Sequence, residues 1–526
     1  MFAPTTAPTW QQALQVAEIH VRQGLFDAFF DACRQIIDFH DDNPDALLSV
    51  GALLSSFGFL AAANQCFMRA SSLAPNNLRA LLNIATLACD AGEHAKSRRL
   101  YSHLLSRLPD HPVIRRNALV SLEYDPDVSD EERLAQAEAW GGWIVAKTGG
   151  ARKRPPLQPL DGRALRVGYV SADFCQHTVG LFVKDILCAH DPDRVAAFAY
   201  SAGQLDDWVT AAIRGACQFR DAAALDDAAL AEQIRQDRID VLVDLSGHTA
   251  GSRLSVFAHR PAPVQVSWLG YFATTGLTAI DVVLLDEWHA PPGTESQFVE
   301  PIIRLPSGRF CYAPVPFAPA EVAPTPCIRN GYITFGCFNN TSKLNAGVYE
   351  TWARILAAVP DSRLLLKWRT FQDAAFCQSV RERFAQLGID PHRIELRGAS
   401  FHADVLKQYA DIDIALDPFP FTGGLTSCEA LWMGVPVVTW PQSRVVSRQT
   451  LAFLSAIGLS ELAGDRGDDY VRIAVDLARD PLRLQALRSS MRARMLASSL
   501  CDVIGFTRTL ESALLTLTQH IAANPD

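Results

Sequence analysis

The stretch IDIALDPFPFTGGLTSCEALWMGVPVVTW, residues Ile412 to Trp440, decides the fold class, because it reads as strand, glycine loop, capped helix and second strand. IDIALD has the apolar content and length of a buried parallel strand, and PVVTW begins the next one after a single short helix. Phe419 to Gly424 fall between them as loop. Gly423 and Gly424 are expected to take backbone conformations closed to other residues and to let a ligand come close. A helix is predicted to start at Thr426 and to stop at Gly434 and Pro436, so that its unbonded N–H groups and dipole point at whatever fills the loop. A phosphate suits that place. Thr426 and Glu429 also fit a capping box, in which each side chain satisfies an N–H of the first turn. The cap needs only one carboxylate oxygen, so it is compatible with a ligand role for Glu429.

Upstream of this stretch the same alternation recurs. From Leu165 the strands LRVGYVSA, VAAFAYS, IDVLVDLSG, VQVSWLG and IDVVLLD are separated by helices near Leu181–Ala189 and Leu225–Gln236. After a proline-rich break, Pro314 to Pro326, come YITFGCFN, RLLLKW, RIELRG, IDIALDPF and PVVTW with helices between them. Two doubly wound parallel sheets are therefore expected, with ligands beyond the carboxyl ends of the strands and in a cleft between the two halves.

The first third has a different period. Gly24, Gly58 and Gly92 are spaced by 34 residues, as are Pro75 and Pro109. Around each glycine an apolar helix, a turn and a second helix with small residues (Ala28, Ala62, Ala95) recur, which resembles the tetratricopeptide repeat. Such units bury their faces only by stacking, so an all-α superhelix is expected, whose groove would bind a protein or, failing that, act as a spacer. The resulting division is a repeat domain at 1–125, a connecting helix and basic, proline-rich linker at 126–163, one Rossmann-like lobe at 164–320 and a second at 327–526.

The chain has 526 residues, 49% of them hydrophobic, and a net charge of −9. That balance argues against nucleic acid as a partner, because a nucleic-acid binder would show a basic face. Twelve cysteines stand singly, without a C-x-x-C pair, which suggests neither a zinc site nor a disulfide framework and fits a reducing cytoplasm. MFAPTTAPTWQQ lacks the pattern of a signal peptide, and no apolar run is long enough for a membrane helix.

Three loops at strand ends carry the candidate chemistry. In Ser171-Ala-Asp-Phe-Cys-Gln-His177, Asp173 and His177 follow the first strand, where a carboxylate and a histidine could take a proton from an attacking hydroxyl; the alternatives are a loop cap for Asp173 and a helix-start role for His177. Asn339-Asn340-Thr341-Ser342-Lys343 ends in a cation able to neutralise a departing phosphate, or in an ordinary surface lysine. His248, in Asp244-Leu-Ser-Gly-His-Thr-Ala-Gly-Ser-Arg253, could line the same cleft. Asp411 and Asp413 form a D-x-D pair, but at the amino end of a strand, where they are more simply strand-start residues than metal ligands.

Taken in order, the 34-residue repeats, GYVSADFCQH, DLSGHTAGSRLSVFAHRPAPVQVSWLGY, FGCFNNTSKL and LDPFPFTGGLTSCEALWMGVPVVT resemble the O-linked N-acetylglucosamine transferase family, including its plant SPINDLY-like and bacterial members. The resemblance spans nearly the whole chain. It implies a GT-B fold, a nucleotide-sugar donor such as UDP-GlcNAc held between the lobes, no metal or other cofactor, and inverting transfer to serine or threonine hydroxyls of proteins. Under it, Asp173 and His177 lie near the sugar and the acceptor, Lys343 and Asn340 contact the donor diphosphate, Leu425 and Thr426 hold phosphate at the helix start, and Glu429 meets the ribose. Gly423, Gly424 and His248 complete the expected donor site. Leu425 replaces the family's usual threonine and offers only its backbone N–H. Phe272-Ala273 stand where many bacterial relatives have Pro-Gly. The family's nucleobase histidine aligns closer to Val405, with His402 about a turn away. Transfer of fucose from GDP-fucose or of glucose from a UDP donor, or a weakly active repeat scaffold that senses nucleotide sugars, are the alternative functions.

Overall fold

The computed structural model describes residues 9–524; the first eight residues of the N-terminal segment discussed above lie outside them. The chain divides into two compact units, Met1–Asp125 with Phe335–Phe401, and Pro126–Thr334 with His402–Asp526.

In the first unit, three helix pairs follow one another: Trp10–Arg22 with Phe26–Phe39, Pro44–Ser56 with Leu60–Leu73, and Leu78–Asp90 with His94–Arg107. Each pair turns at a glycine with positive φ, +74° at Gly24, +88° at Gly58 and +76° at Gly92, a conformation that side chains with a Cβ resist. Helices within a pair approach closely because small residues face large ones; Gly51, for instance, lies against the Phe67 ring. Successive pairs share apolar layers, as where Phe29 and Phe30 meet Phe59 with ring centroids 5.7 and 4.8 Å apart. The same unit holds parallel strands Thr334–Cys337, Arg363–Lys367 and Ile394–Arg397 (β8, β9 and β10 in chain order; Thr334 itself belongs to the other unit), with β9 between the other two.

The second unit is built on seven parallel strands: Leu165–Ser171, Val195–Ser201, Gln218–Asp221, Val241–Asp244, Val264–Ser267, Val282–Leu285 and Ile302–Arg304 (β1 to β7). Their order is β3-β2-β1-β4-β5-β6-β7. β1 pairs with β2 on one side and β4 on the other, so the winding reverses between β1 and β4, and the loops leaving those two strands flank the crevice where such sheets hold ligands. β3 and β7 are absent from the sequence reading. QFRD and IIR are short edge strands, half exposed, and lack the apolar run of a central strand. Ile414–Leu416 and Val437–Val438 (β11 and β12) also pair in parallel in this unit. Its last helix, Val503–Ala523, packs against Thr178–Cys188, the helix that follows β1. Among the described residues no helix is long and apolar enough to cross a membrane.

Candidate functional site

The loop after β1 is enclosed by glycines. A Cβ at Gly180 would overlap the Cys175 carbonyl oxygen, and one at Gly203 would overlap that of Ala172. Ser171 Oγ accepts from Asp173 N at 2.9 Å, and Asp207 accepts from Gln176 N at 2.6 Å. Held in this way, Asp173 and His177 come together, with His177 Nδ1 at 3.6 Å from Asp173 Oδ2. Burial raises the Asp173 carboxyl above the ordinary aspartate range, against the opposing pull of His177. The helix-start role of His177 is also present, since Nδ1 accepts from Val179 N at 3.4 Å. The ring is half exposed and so remains accessible while it caps.

After β4, Asp244 accepts from Ser246 N and Gly247 N at 3.1 and 2.8 Å, and burial pushes its carboxyl up to about 7. His248 occupies a different setting from the ligand contact expected for it. It is 1% exposed, its Nε2 lies 2.8 Å from the Thr275 carbonyl oxygen, and Trp140 and Tyr271 pack edge-on against it at 4.4 and 5.1 Å. With no exposed ring face, His248 belongs to the framework of the loop.

The glycine loop is organised by Asp417, which accepts from Gly423 N at 2.6 Å and from Thr439 Oγ1 at 2.7 Å. The helix Gln449–Ala456 holds its other side: Gln449 Nε2 donates to Thr422 O at 3.2 Å and Thr450 Oγ1 to Gly423 O at 3.3 Å. Gly424, at φ −106° and ψ −99°, has a backbone outside the regions open to residues with a Cβ, and Gly423 is required by space, since a Cβ would overlap Ser427 Oγ. The expected capping box does not form: the helix runs Leu425–Trp432 with Gly424 as its N-cap and no side-chain cap, so Thr426 and Glu429 fall inside the helix and not at the N-cap and N3 positions. The first turn presents the positive end of the helix dipole to the loop, which favours an anion there.

Glu429 is buried, and its Oε1 lies 2.5 Å from His402 Nε2. Burial works against a charged His402 ring, but the hydrogen bond and charge of Glu429 outweigh it, so His402 sits above the ordinary histidine value. On its other side, Gln176 Nε2 lies 3.3 Å from His402 Nδ1, while Gln176 Oε1 accepts from Trp208 Nε1 at 2.9 Å. Gln176 and His402 thus join the Asp173–His177 loop to the helix carrying Glu429. Neither was among the candidates from sequence. His402 stands about a turn away from the position expected for a nucleobase histidine, and no periodic signal marks a lone glutamine.

Phe272, at the Pro-Gly departure, packs its ring on Phe421 of the glycine loop at 5.4 Å, and the buried Arg309 guanidinium lies 4.8 Å from its centroid. In the other unit, Asn340 caps the turn Thr341–Lys343 by accepting from Ser342 N, and Lys343 Nζ donates to Asn339 Oδ1 at 3.0 Å. Asp413 accepts from Cys327 N and Thr334 N at 2.9 and 2.8 Å, so it serves the starts of neighbouring elements. Among the described residues no group of three or more His, Cys, Asp or Glu side chains is placed to hold a metal ion.

A tetratricopeptide-type array followed by two parallel sheets, with a glycine loop before a short helix, is an architecture of GT-B type. Residues 144–312 and 327–510 match glycosyl transferase family 41, and the chain belongs to that family. Among its relatives is the rice (Oryza sativa subsp. japonica) protein named "Probable UDP-N-acetylglucosamine–peptide N-acetylglucosaminyltransferase SPINDLY", 38% identical over 78% of this chain and 45% of its own length. The Caenorhabditis elegans UDP-N-acetylglucosamine–peptide N-acetylglucosaminyltransferase is 24% identical over 67% of this chain and 41% of its own. The chain thus spans less than half the length of these relatives. A solved Thermobaculum terrenum O-GlcNAc transferase mutant superposes with a TM-score of 0.88 and 31% identity, covering 99% of this chain and 100% of that one.

Proposed function

We propose that the protein is an inverting glycosyltransferase that moves N-acetylglucosamine from UDP-GlcNAc to serine or threonine hydroxyls of proteins. The observation that carries this is the Gln176–His402–Glu429 chain, which ties a loop bearing an accessible histidine and a half-buried carboxyl to a helix start without a side-chain cap. One end suits proton transfer and the other a diphosphate. In the proposed single displacement, an acceptor hydroxyl attacks the anomeric carbon, its proton passes to His177 or Asp173, and the C–O bond to the nucleoside diphosphate breaks on the opposite face. The N–H groups at Leu425 and Thr426, with Lys343 and Asn340, stabilise the departing charge, and Glu429 orients the ribose. No metal is required in this scheme, because the helix start and an ammonium supply the positive charge. The names of the rice and nematode relatives support the donor and the peptide acceptor; the repeat groove is the proposed place for the acceptor protein, and the cytoplasm the proposed compartment.

Incubation with a panel of UDP- and GDP-sugars, following diphosphate release and mass gain on peptides, tests the reading. UDP release from UDP-GlcNAc with addition of one N-acetylhexosamine to the peptide is expected. Turnover of GDP-fucose or UDP-glucose alone would replace the donor, and binding by calorimetry without any turnover would reject the enzyme.

A further inference from the structure

The three repeat turns share one conformation and meet different surroundings. A Cβ on Gly24 would meet nothing within 4 Å, one on Gly58 would lie 2.5 Å from the Arg369 carbonyl oxygen, and one on Gly92 would overlap the Leu344 carbonyl oxygen. The second and third repeats therefore dock, backbone against backbone, on the loops that leave β9 and β8. At the β9 loop, Gln372 Nε2 donates to Phe57 O at 2.9 Å and Ala61 N donates to Asp373 Oδ2 at 2.7 Å. At the β8 loop, Thr341 Oγ1 donates to Asp90 O at 2.8 Å and Ser342 Oγ to Asp90 Oδ1 at 3.2 Å. Thr341 and Ser342 are buried, and together with Lys343 they form one 3-10 turn. A backbone so short and so fully held moves as one piece. Whatever sets the height of Thr341 and Ser342 also sets Lys343.

We propose that the third repeat is a positioning device for the reaction: Asp90 and the close approach at Gly92 fix the turn Thr341–Lys343, and with it the ammonium set against the leaving diphosphate. The inference rests on the role proposed above for Lys343. A repeat array that served only as a spacer would touch this turn without affecting turnover.

Gly24→Ala and Gly92→Ala form a matched pair, because φ is +74° and +76° at the two sites and only the second methyl group presses on the Lys343 turn. Both are measured by thermal unfolding and by steady-state UDP release from UDP-GlcNAc, or GDP release from GDP-fucose should the panel select it, beside Lys343→Ala. Expected are a larger loss of Tm in Gly92→Ala than in Gly24→Ala and, at a temperature where both are folded, unchanged turnover in Gly24→Ala and a kcat lower by about tenfold or more in Gly92→Ala with donor KM within about twofold, as misplacement of a stabilising group predicts. If Gly92→Ala does not fold, Asp90→Ala takes its place, with Asp90→Asn, which keeps an oxygen acceptor for Ser342, expected to restore kcat. Equal kcat in Gly24→Ala and Gly92→Ala, or no difference between Asp90→Ala and wild type, while Lys343→Ala is impaired, would overturn the positioning role and leave the reading of Lys343 standing. Full turnover in Lys343→Ala would overturn both.

Discussion

At the residue scale, the site depends on side chains whose protonation the fold has shifted. Asp173 is raised by burial above its ordinary value of 3.8. A carboxyl whose folded-state pKa exceeds the unfolded one contributes stability that is fully present below the unfolded value and is lost as pH rises through the folded value. Asp173→Asn is therefore expected to unfold at a higher temperature than wild type at neutral pH, with the gap closing on acidification below 3.8. It should also lose turnover by roughly a hundredfold if the carboxylate shares in proton transfer. A pH series of thermal unfolding checks the first part and steady-state kinetics the second. His402 is likewise raised above 6.5 by Glu429, so its pairing contributes most below that value and fades as pH rises through the folded-state pKa. His402→Gln should be most destabilised relative to wild type in mild acid and converge on it in alkali; a constant difference across pH would reject the ion pair. Asp173, His177 and Glu429 were legible as residue types at strand and helix ends. That Glu429 would meet His402, 27 residues earlier, was not, because the strand and loop between them hide any periodic relation.

At the scale of elements, the two glycines of the loop serve different needs: Gly424 takes a backbone conformation closed to residues with a Cβ, and Gly423 is needed for its closeness to Ser427. Gly423→Ala is expected to cost about 1–3 kcal/mol, the range for overpacking a tight site, and to raise donor KM by opening the turn. Adding Ser427→Ala removes the nearest overlapping atom and should recover part of both losses, which denaturant unfolding and donor titration would show. The Gln449–Ala456 helix, which holds the far side of the loop, left no trace in the motif. Its contacts are single hydrogen bonds from a sequence without distinctive spacing.

At the scale of the molecule, the chain's last helix returns to cover the helix after β1. Buried Glu511 accepts from Asp191 N at 2.9 Å and from Arg508 at 2.8 Å, and its Oε1 lies 3.0 Å from His190 Nδ1. Glu511→Ala would strip His190 of its carboxylate partner inside the protein. The expected loss is about 3 kcal/mol, towards the lower end for a broken buried pair because Arg194 and Arg508 still reach water, and it should appear as a lower midpoint in urea with an unchanged slope.

By itself the sequence determined what recurs along the chain: a 34-residue helical period, strands alternating with helices, and a glycine loop before a short helix. Each follows from backbone periodicity and local sterics, which act between near neighbours and leave a regular imprint. Tertiary structure alone decided that Glu429 pairs with His402 instead of capping its helix, that His248 is packed away as framework, that β3 and β7 complete the first sheet, and that repeat turns seat on the loops of β8 and β9. Those outcomes come from contacts between residues up to hundreds of positions apart, where burial and unmet hydrogen bonds select partners that no local pattern names.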